Sequence, residues 1–257
     1  QVWYNETANT LKYFYINPGS WATGGSLNTG RNSLAGAGTQ TAALAFGGYS
    51  GLAVTESYNG TNWTEVNDLT TARHNLAGCG TNTAALAFGG YTPGGATAVT
   101  EKWNGTNWTE VNDLGTAKSA VGGAGTQTAA LAFGGEVPGT GHIANTETWN
   151  GTNWTEVNDL TSARKYLAGC GTNTAALAFG GTPGPTGALT ELWNGTNWTE
   201  VADLNTGRRA LAGAGTSTAA LAFGGTPPIS ALTESWNGSN WTEVADLGTA
   251  RYSLAGA

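Results

Sequence analysis

The sequence predicts an all-β repeat fold, and three observations carry the prediction. The octapeptide TAALAFGG occurs letter for letter five times, beginning at Thr41, Thr83, Thr128, Thr174 and Thr218. The tryptophan of Asn-Trp-Thr recurs at Trp63, Trp108, Trp154, Trp198 and Trp241, with gaps of 45, 46, 44 and 43 residues. Every unit also carries an Asn-Gly-Thr-Asn or Asn-Gly-Ser-Asn turn just before that tryptophan. Identity at a fixed period marks a repeat architecture, and this period is the length of one four-stranded propeller blade.

The unit from Arg31 to Val66 sets out the elements in order. Leu34 to Gly38 is small and apolar, a polar turn follows at Thr39 and Gln40, and Ala43 to Phe46 completes a hairpin. Gly47-Gly48 ends the second strand, and a variable stretch from Tyr49 to Val54 leads to a third strand carrying Glu56 and Tyr58. Asn59-Gly60 is expected to supply the positive-φ residues of a tight turn into a fourth strand with Trp63, Glu65 and Val66. In that strand Trp63 and Glu65 point one way while Thr64 and Val66 point the other, so both faces of the sheet need cover. Blades packed face to face around an axis supply it, whereas a solenoid leaves an exposed end at each terminus. The Ala and Gly of LAGAG suit strands that converge on a crowded axis.

The diglycine, the Glu-x-Tyr/Trp pair, the later Trp and the basic residue opening the next unit together resemble the kelch motif. Glu56, Tyr58, Trp63 and Arg73 show it once, and Glu234, Trp236, Trp241 and Arg251 show it again. The resemblance covers residues 31 to 257 and implies a kelch-type β-propeller.

The basic position recurs six times, at Arg31, Arg73, Lys118, Arg164, Arg208 and Arg251, although only five units carry the diglycine. The expectation is a six-bladed propeller spanning residues 1–257 as one domain. Its blades cover about 31–66, 73–111, 118–157, 164–201 and 208–244, with a split blade from 251–257 and 1–24. In that split blade Tyr252 to Ala257 is a first strand, Val2 to Tyr4 and Leu11 to Tyr15 are the second and third, and Ser20-Trp21 aligns with Asn62-Trp63. Trp21 precedes Arg31 by the same ten residues that separate Trp63 from Arg73. Such closure removes unpaired edges. The N-terminal part lacks the diglycine and the Glu-x-aromatic pair, so a five-bladed ring with a separate N-terminal hairpin is the alternative.

Composition bounds the function. The 11 Trp, 8 Tyr and 6 Phe support a real core, and 41 Gly without a G-X-Y register favour tight turns over collagen. A net charge of −7 argues against nucleic acid or an anionic membrane surface as partner, and no apolar run approaches a membrane span. Most acids recur at the Glu56, Glu65 and Asp68 positions of each repeat, as scaffold features. Cys79 and Cys170 share one repeat position and read as small buried thiols rather than a disulfide. The chain has no Met and begins at Gln1, which suggests a removed leader or a segment of a longer polypeptide.

Strand alternation places the loops after strands two and four on one face and the invariant turns on the other. The loops after the diglycines vary: Tyr49 to Val54, Tyr91 to Val99, Glu136 to Asn145, Thr182 to Leu189 and Thr226 to Leu232. Tyr49, Tyr91, Glu136, His142 and Ile143 are the expected contact residues, with neutral drift in tolerant loops as the competing account. The six basic residues either ring the channel mouth as an anion site or pair with the repeated acids; pairing is favoured. Trp63-type residues are expected between blades, leaving Tyr49 and Tyr91 for glycan stacking. Only His74 and His142 are histidines, too few for a triad or zinc site, so neither catalysis, a metal nor a cofactor is expected. Sequons such as Asn5-Glu6-Thr7, Asn59-Gly60-Thr61 and Asn62-Trp63-Thr64 are mostly by-products of the hairpin turn.

The wording of the chain also resembles the repetitive propellers of tailed-phage virion and tail-fibre proteins. Val2-Trp3-Tyr4-Asn5, Thr10-Leu11-Lys12-Tyr13, Ser20-Trp21, Asn28-Thr29-Gly30-Arg31 and LAGAGTQTAALAFGG carry it. That resemblance implies a structural or host-contact module, virion-borne or extracellular, whose partners are other virion proteins or a host-surface protein or glycan. A free propeller lectin and an idealised scaffold without a natural ligand are the other readings.

Overall fold

A computed structural model describes residues 2–5, 10–13, 20–182 and 187–256. The described chain is an all-β propeller built from four-stranded antiparallel blades. Blade one comprises Ala35–Thr39, Ala42–Phe46, Thr55–Tyr58 and Trp63–Val66, paired in that order from the axis outward. Blade two comprises Ala77–Gly80, Ala85–Phe88, Thr100–Trp103 and Trp108–Val111; blade three Gly122–Thr126, Ala129–Phe133, Thr146–Trp149 and Trp154–Val157. Blade four is Ala168–Gly171, Ala176–Phe179, Thr190–Trp193 and Trp198–Glu200; blade five is Ala212–Gly215, Ala220–Phe223, Thr233–Trp236 and Trp241–Val244. The register is the same in each, with Ala45 opposite Glu56 and Glu56 opposite Glu65 in blade one.

The core lies between blades. Leu44, Phe46, Leu69 and Leu76 meet Ala85, Ala87, Trp103 and Trp108 of blade two, and the equivalent clusters recur at the next three interfaces. Phe46 packs on Trp108 with ring centroids 4.9 Å apart, and Phe88–Trp154, Phe133–Trp198 and Phe179–Trp241 repeat the contact. Burying one Phe or Leu contributes about 1.5–3 kcal/mol, and each interface buries several such side chains, so apolar packing is a main source of cohesion between blades.

A polar bond threads each interface. The fourth-strand tryptophan donates its indole N–H to the Oγ1 of the buried threonine that opens the preceding blade's third strand. Trp108 reaches Thr55 at 3.1 Å, Trp154 Thr100 at 3.0 Å, Trp198 Thr146 at 3.1 Å and Trp241 Thr190 at 3.0 Å. The Asp68-type carboxylate accepts from that threonine's own backbone N–H, at 3.0 Å in blade one.

At the axis the glycine of LAG is required by close approach. A Cβ on Gly78 would meet the Gly36 carbonyl at 3.2 Å, and one on Gly213 would meet that of Gly169 at 3.2 Å. Gly256 sits closer still to the Gly213 carbonyl, which a Cβ there would meet at 2.1 Å, while a Cβ on Gly36 would meet the Gly256 carbonyl at 3.1 Å. Residues 254–256 therefore lie between the inner strands of blades five and one.

Two readings need correction. Residues 252–256 and 20–24 carry no strand ladder, although the sequence suggested strands there; Val2–Asn5 and Thr10–Tyr13 pair with each other as a separate two-stranded sheet. Tyr15, Ala257 and the Glu6-Thr7 part of the first sequon lie outside the described residues, as do residues 183–186 of the fourth variable loop. The Asn-Gly turn also differs, because Gly60 has φ +93° while Asn59 does not enter the positive region. Asn59 instead turns the chain with its side chain, its Oδ1 accepting from Thr61 N at 3.0 Å and Asn62 N at 2.9 Å.

Candidate binding face

The diglycine ends each second strand by a bond to the next unit. Gly48 N–H donates to the Arg73 carbonyl at 3.0 Å, and Gly90, Gly135, Gly181 and Gly225 do the same to Lys118, Arg164, Arg208 and Arg251. Gly47 has φ +70°, and a Cβ there would meet the Arg73 carbonyl at 2.7 Å, so glycine is needed for conformation and for space.

The residue after each diglycine then pairs with the residue after the blade's own basic position. Tyr49 N–H donates to the Asn32 carbonyl at 2.9 Å. His74 bridges Tyr91, Ser119 bridges Glu136, Lys165 bridges Thr182 and Arg209 bridges Thr226. These ten positions form a circlet on the diglycine face, and each blade's pair is a different combination, although Tyr49 matches Tyr91 and Thr182 matches Thr226, while the strands beneath scarcely vary. Inside the circlet the next residues close on each other: Asn75 N–H donates to the Ser33 carbonyl, Ala120 to Asn75, Tyr166 to Ala120, Ala210 to Tyr166, Ser253 to Ala210 and Ser33 to Ser253, at 2.8–3.0 Å. All six have φ between 52° and 58°. With the leucine or valine that follows each of them, they line an axial cavity of about 90 Å³.

Side chains join neighbouring blades across the circlet. Between blades one and two, the Tyr49 ring meets His74 edge-on at 5.1 Å, and Tyr91 lies 5.6 Å from His74 on the other side. Tyr49 is 61 % and Tyr91 39 % exposed. Burial pushes the His74 imidazole below its ordinary range, so it is neutral near pH 7. Between blades three and four, Lys165 Nζ pairs with Glu136 at 2.7 Å. His142 faces Glu136 in a two-residue ladder, and Ile143 is half-buried, its backbone bonding Gly135 and Arg164. Of the expected contact residues, Tyr49 and Tyr91 thus form an open aromatic group, Glu136 is held in an ion pair, and His142 and Ile143 sit in the loop beside it.

The basic residues lie beneath this face rather than around its mouth. Arg31, Arg73, Lys118, Arg164 and Arg208 are paired with Glu56, Glu101, Glu147, Glu191 and Glu234, all with buried side chains. Each carboxylate also accepts a backbone N–H from the strand-linking segment, such as Thr70 N to Glu101 at 2.7 Å. Removing either partner would strand a buried charge, which explains why both recur. Burial works to raise the Glu56 carboxyl, but Arg31 and the Asn28 and Thr29 amides hold it below its ordinary value. The Arg251 side chain is exposed and bonds Thr249 O in its own segment at 3.3 Å, and among the described residues no carboxylate pairs with it. Blade three departs from the others in using lysine. Lys118 Nζ lies 3.2 Å from Glu147 and donates to Asn145 Oδ1 at 2.7 Å, where other blades have Val54, Val99, Leu189 or Leu232. Asn145 supplies the acceptor that the smaller ammonium head can reach.

Cys79 and Cys170 are free and buried, and burial pushes each thiol up to about 12. Among the described residues no three His, Cys, Asp or Glu side chains gather as a metal site. No protein-family model matches the chain, and no curated protein sequence matches it.

Sequence reasoning missed half of the circlet: Asn32, His74, Ser119, Lys165 and Arg209. The signal was present, because each follows the repeat's basic residue and each differs, but only the antiparallel bridge puts it beside the post-diglycine residue.

Proposed function

We propose that this propeller is a non-catalytic, virion-associated interaction module that presents its diglycine face to a host surface or to other virion proteins. One observation carries the reading. In repeats that are otherwise close copies, side-chain differences and unequal loop lengths gather in the circlet and loops of one face, where they cost the core little. The opposite face keeps nearly the same Asn-Gly-Thr-Asn turn throughout. A free carbohydrate-binding propeller is the second reading, favoured by the exposed Tyr49 and Tyr91.

The fold belongs to this proposal in its finer form, a kelch-like ring of six blades whose sixth is split between 251–257 and 1–24. Support comes from Trp21, which donates to Thr233 Oγ1 at 3.1 Å and packs on Phe223 at 4.9 Å, the two contacts made by every other fourth-strand tryptophan from blade two onward. Trp21, Leu44, Trp63, Phe223 and Leu254 line a cavity of about 800 Å³ between blades five and one, where a sixth blade would stand.

Two measurements test the function. Mass spectrometry of purified tailed-phage particles whose genome encodes the chain should find it in the particle. The isolated chain should bind the bacterial host, and exchanging loops 91–99 and 136–145 for the shortest loop should abolish binding. Absence from particles together with unchanged binding after the exchange overturns the proposal.

A further inference from the structure

We infer that Tyr49, His74 and Tyr91 form a binding site for the pyranose ring of a neutral carbohydrate at the junction of blades one and two. The inference rests on the reading of the diglycine face as a binding face, and it names the ligand class and the place.

The geometry supplies the apolar part. Tyr49 and Tyr91 flank His74 at 5.1 and 5.6 Å, so three rings occupy one continuous strip of the circlet. Both tyrosines are exposed, at 61 % and 39 %, in a fold whose repeated tryptophans are turned into the blade interfaces. Their backbones are pinned: Tyr49 N–H donates to Asn32 at 2.9 Å, and Tyr91 and His74 exchange bonds at 2.8 and 3.1 Å. Rings held on a rigid rim lose little entropy when a ligand stacks on them.

The polar part is uncharged. His74 is neutral near pH 7, so it brings no charge to the strip. Exposed Asn32 adds an amide whose Oδ1 accepts from Ser33 Oγ at 3.0 Å. The nearby guanidinium groups of Arg31 and Arg73 are buried and neutralised by Glu56 and Glu101, so no free charge is offered to a phosphate or carboxylate. Aromatic faces beside neutral donors and acceptors match a pyranose, which has an apolar C–H face and a hydroxyl edge. The Glu136–Lys165 side of the circlet, with its charges paired to each other, lacks this combination.

The test uses the whole chain on an array of neutral glycans, followed by calorimetric titration of the strongest ligand. Tyr49→Ala and Tyr91→Ala should each weaken binding roughly tenfold, the loss of one stacked ring. Tyr49→Phe should retain binding, and Thr106→Ala, in an exposed turn of the opposite face, should leave it unchanged. Thermal melting of each variant separates lost binding from lost fold. The inference is overturned if no neutral glycan binds, or if the ligand's affinity survives both alanine substitutions. Host-cell binding that depends on loop 136–145 but persists in Tyr49→Ala would remove this site and leave the binding-face reading intact; failure of all host binding removes that reading as well.

Discussion

The Trp21 indole donates to Thr233 Oγ1 at 3.1 Å across 212 residues of chain, in the same arrangement that links Trp241 to Thr190 at 3.0 Å. The bond places the beginning of the described propeller against its last complete blade. Ser253 does the converse at the axis, accepting from Ser33 and donating to Ala210, both at 2.8 Å. The ring is tied from both ends of the sequence.

Trp21→Ala should destabilise the chain by about 2–3 kcal/mol in denaturant unfolding, below the 3–5 kcal/mol typical of a fully buried tryptophan because this one is 39 % exposed. Deleting residues 252–257 should lower the melting temperature more sharply, since it removes Ser253 and Gly256 from the axis together. An unchanged melting temperature in either variant would show that closure contributes nothing.

The lysine in blade three makes a double-mutant cycle informative. Asn145→Val alone should cost about 1–2 kcal/mol by removing the 2.7 Å acceptor of a buried ammonium. Combined with Lys118→Arg it should return close to the parent, because an arginine can reach the carbonyls used in the other blades, as Arg164 reaches Leu189 at 2.6 Å. Additive losses would mean that Asn145 acts independently of the charge.

Ala120 holds φ 52°, a conformation that costs an L-residue about 1–2 kcal/mol. Ala120→Gly should relieve that strain, less the greater freedom glycine has in the unfolded chain, for a net gain of about 0.5–1 kcal/mol. Chemical denaturation with an unchanged m-value is the measurement, and a loss of stability would contradict it.

Acid should weaken the ring through Glu56. Its carboxyl lies below its usual value in the folded chain, so the pairing with Arg31 contributes stability above the ordinary carboxylate pKa of about 4.5 and loses it as pH falls through the lower folded value. Melting temperature should therefore drop below about pH 4.5, and Glu56→Gln should flatten that limb while lowering stability at neutral pH. An identical acid limb in the variant would exclude Glu56 as a source.

The blades were legible in the chain because their chemistry is local and periodic. Alternation in Trp63–Val66, the diglycine after Phe46 and the Asn-Gly turn each specify backbone within a few residues, and five copies remove the ambiguity of one. The pairing of basic residues with Glu56-type acids was also readable, since both recur once per unit. The turn was misread at Asn59 because two residues of the same composition can turn by backbone or by side chain, and only the Asn59 Oδ1 bonds decide which.

By itself, then, the sequence determined an all-β propeller of repeated four-stranded units and the segments free to vary. Tertiary structure decided what those segments make together. The bridge between His74 and Tyr91 and the edge contact of Tyr49 on His74 join residues from two blades, at distances set by how the sheets stack around the axis. A period along the chain states what each blade contains; it does not state which side chains of adjacent blades meet, because that depends on the packing of Phe46 against Trp108 and of Gly36 against Gly78.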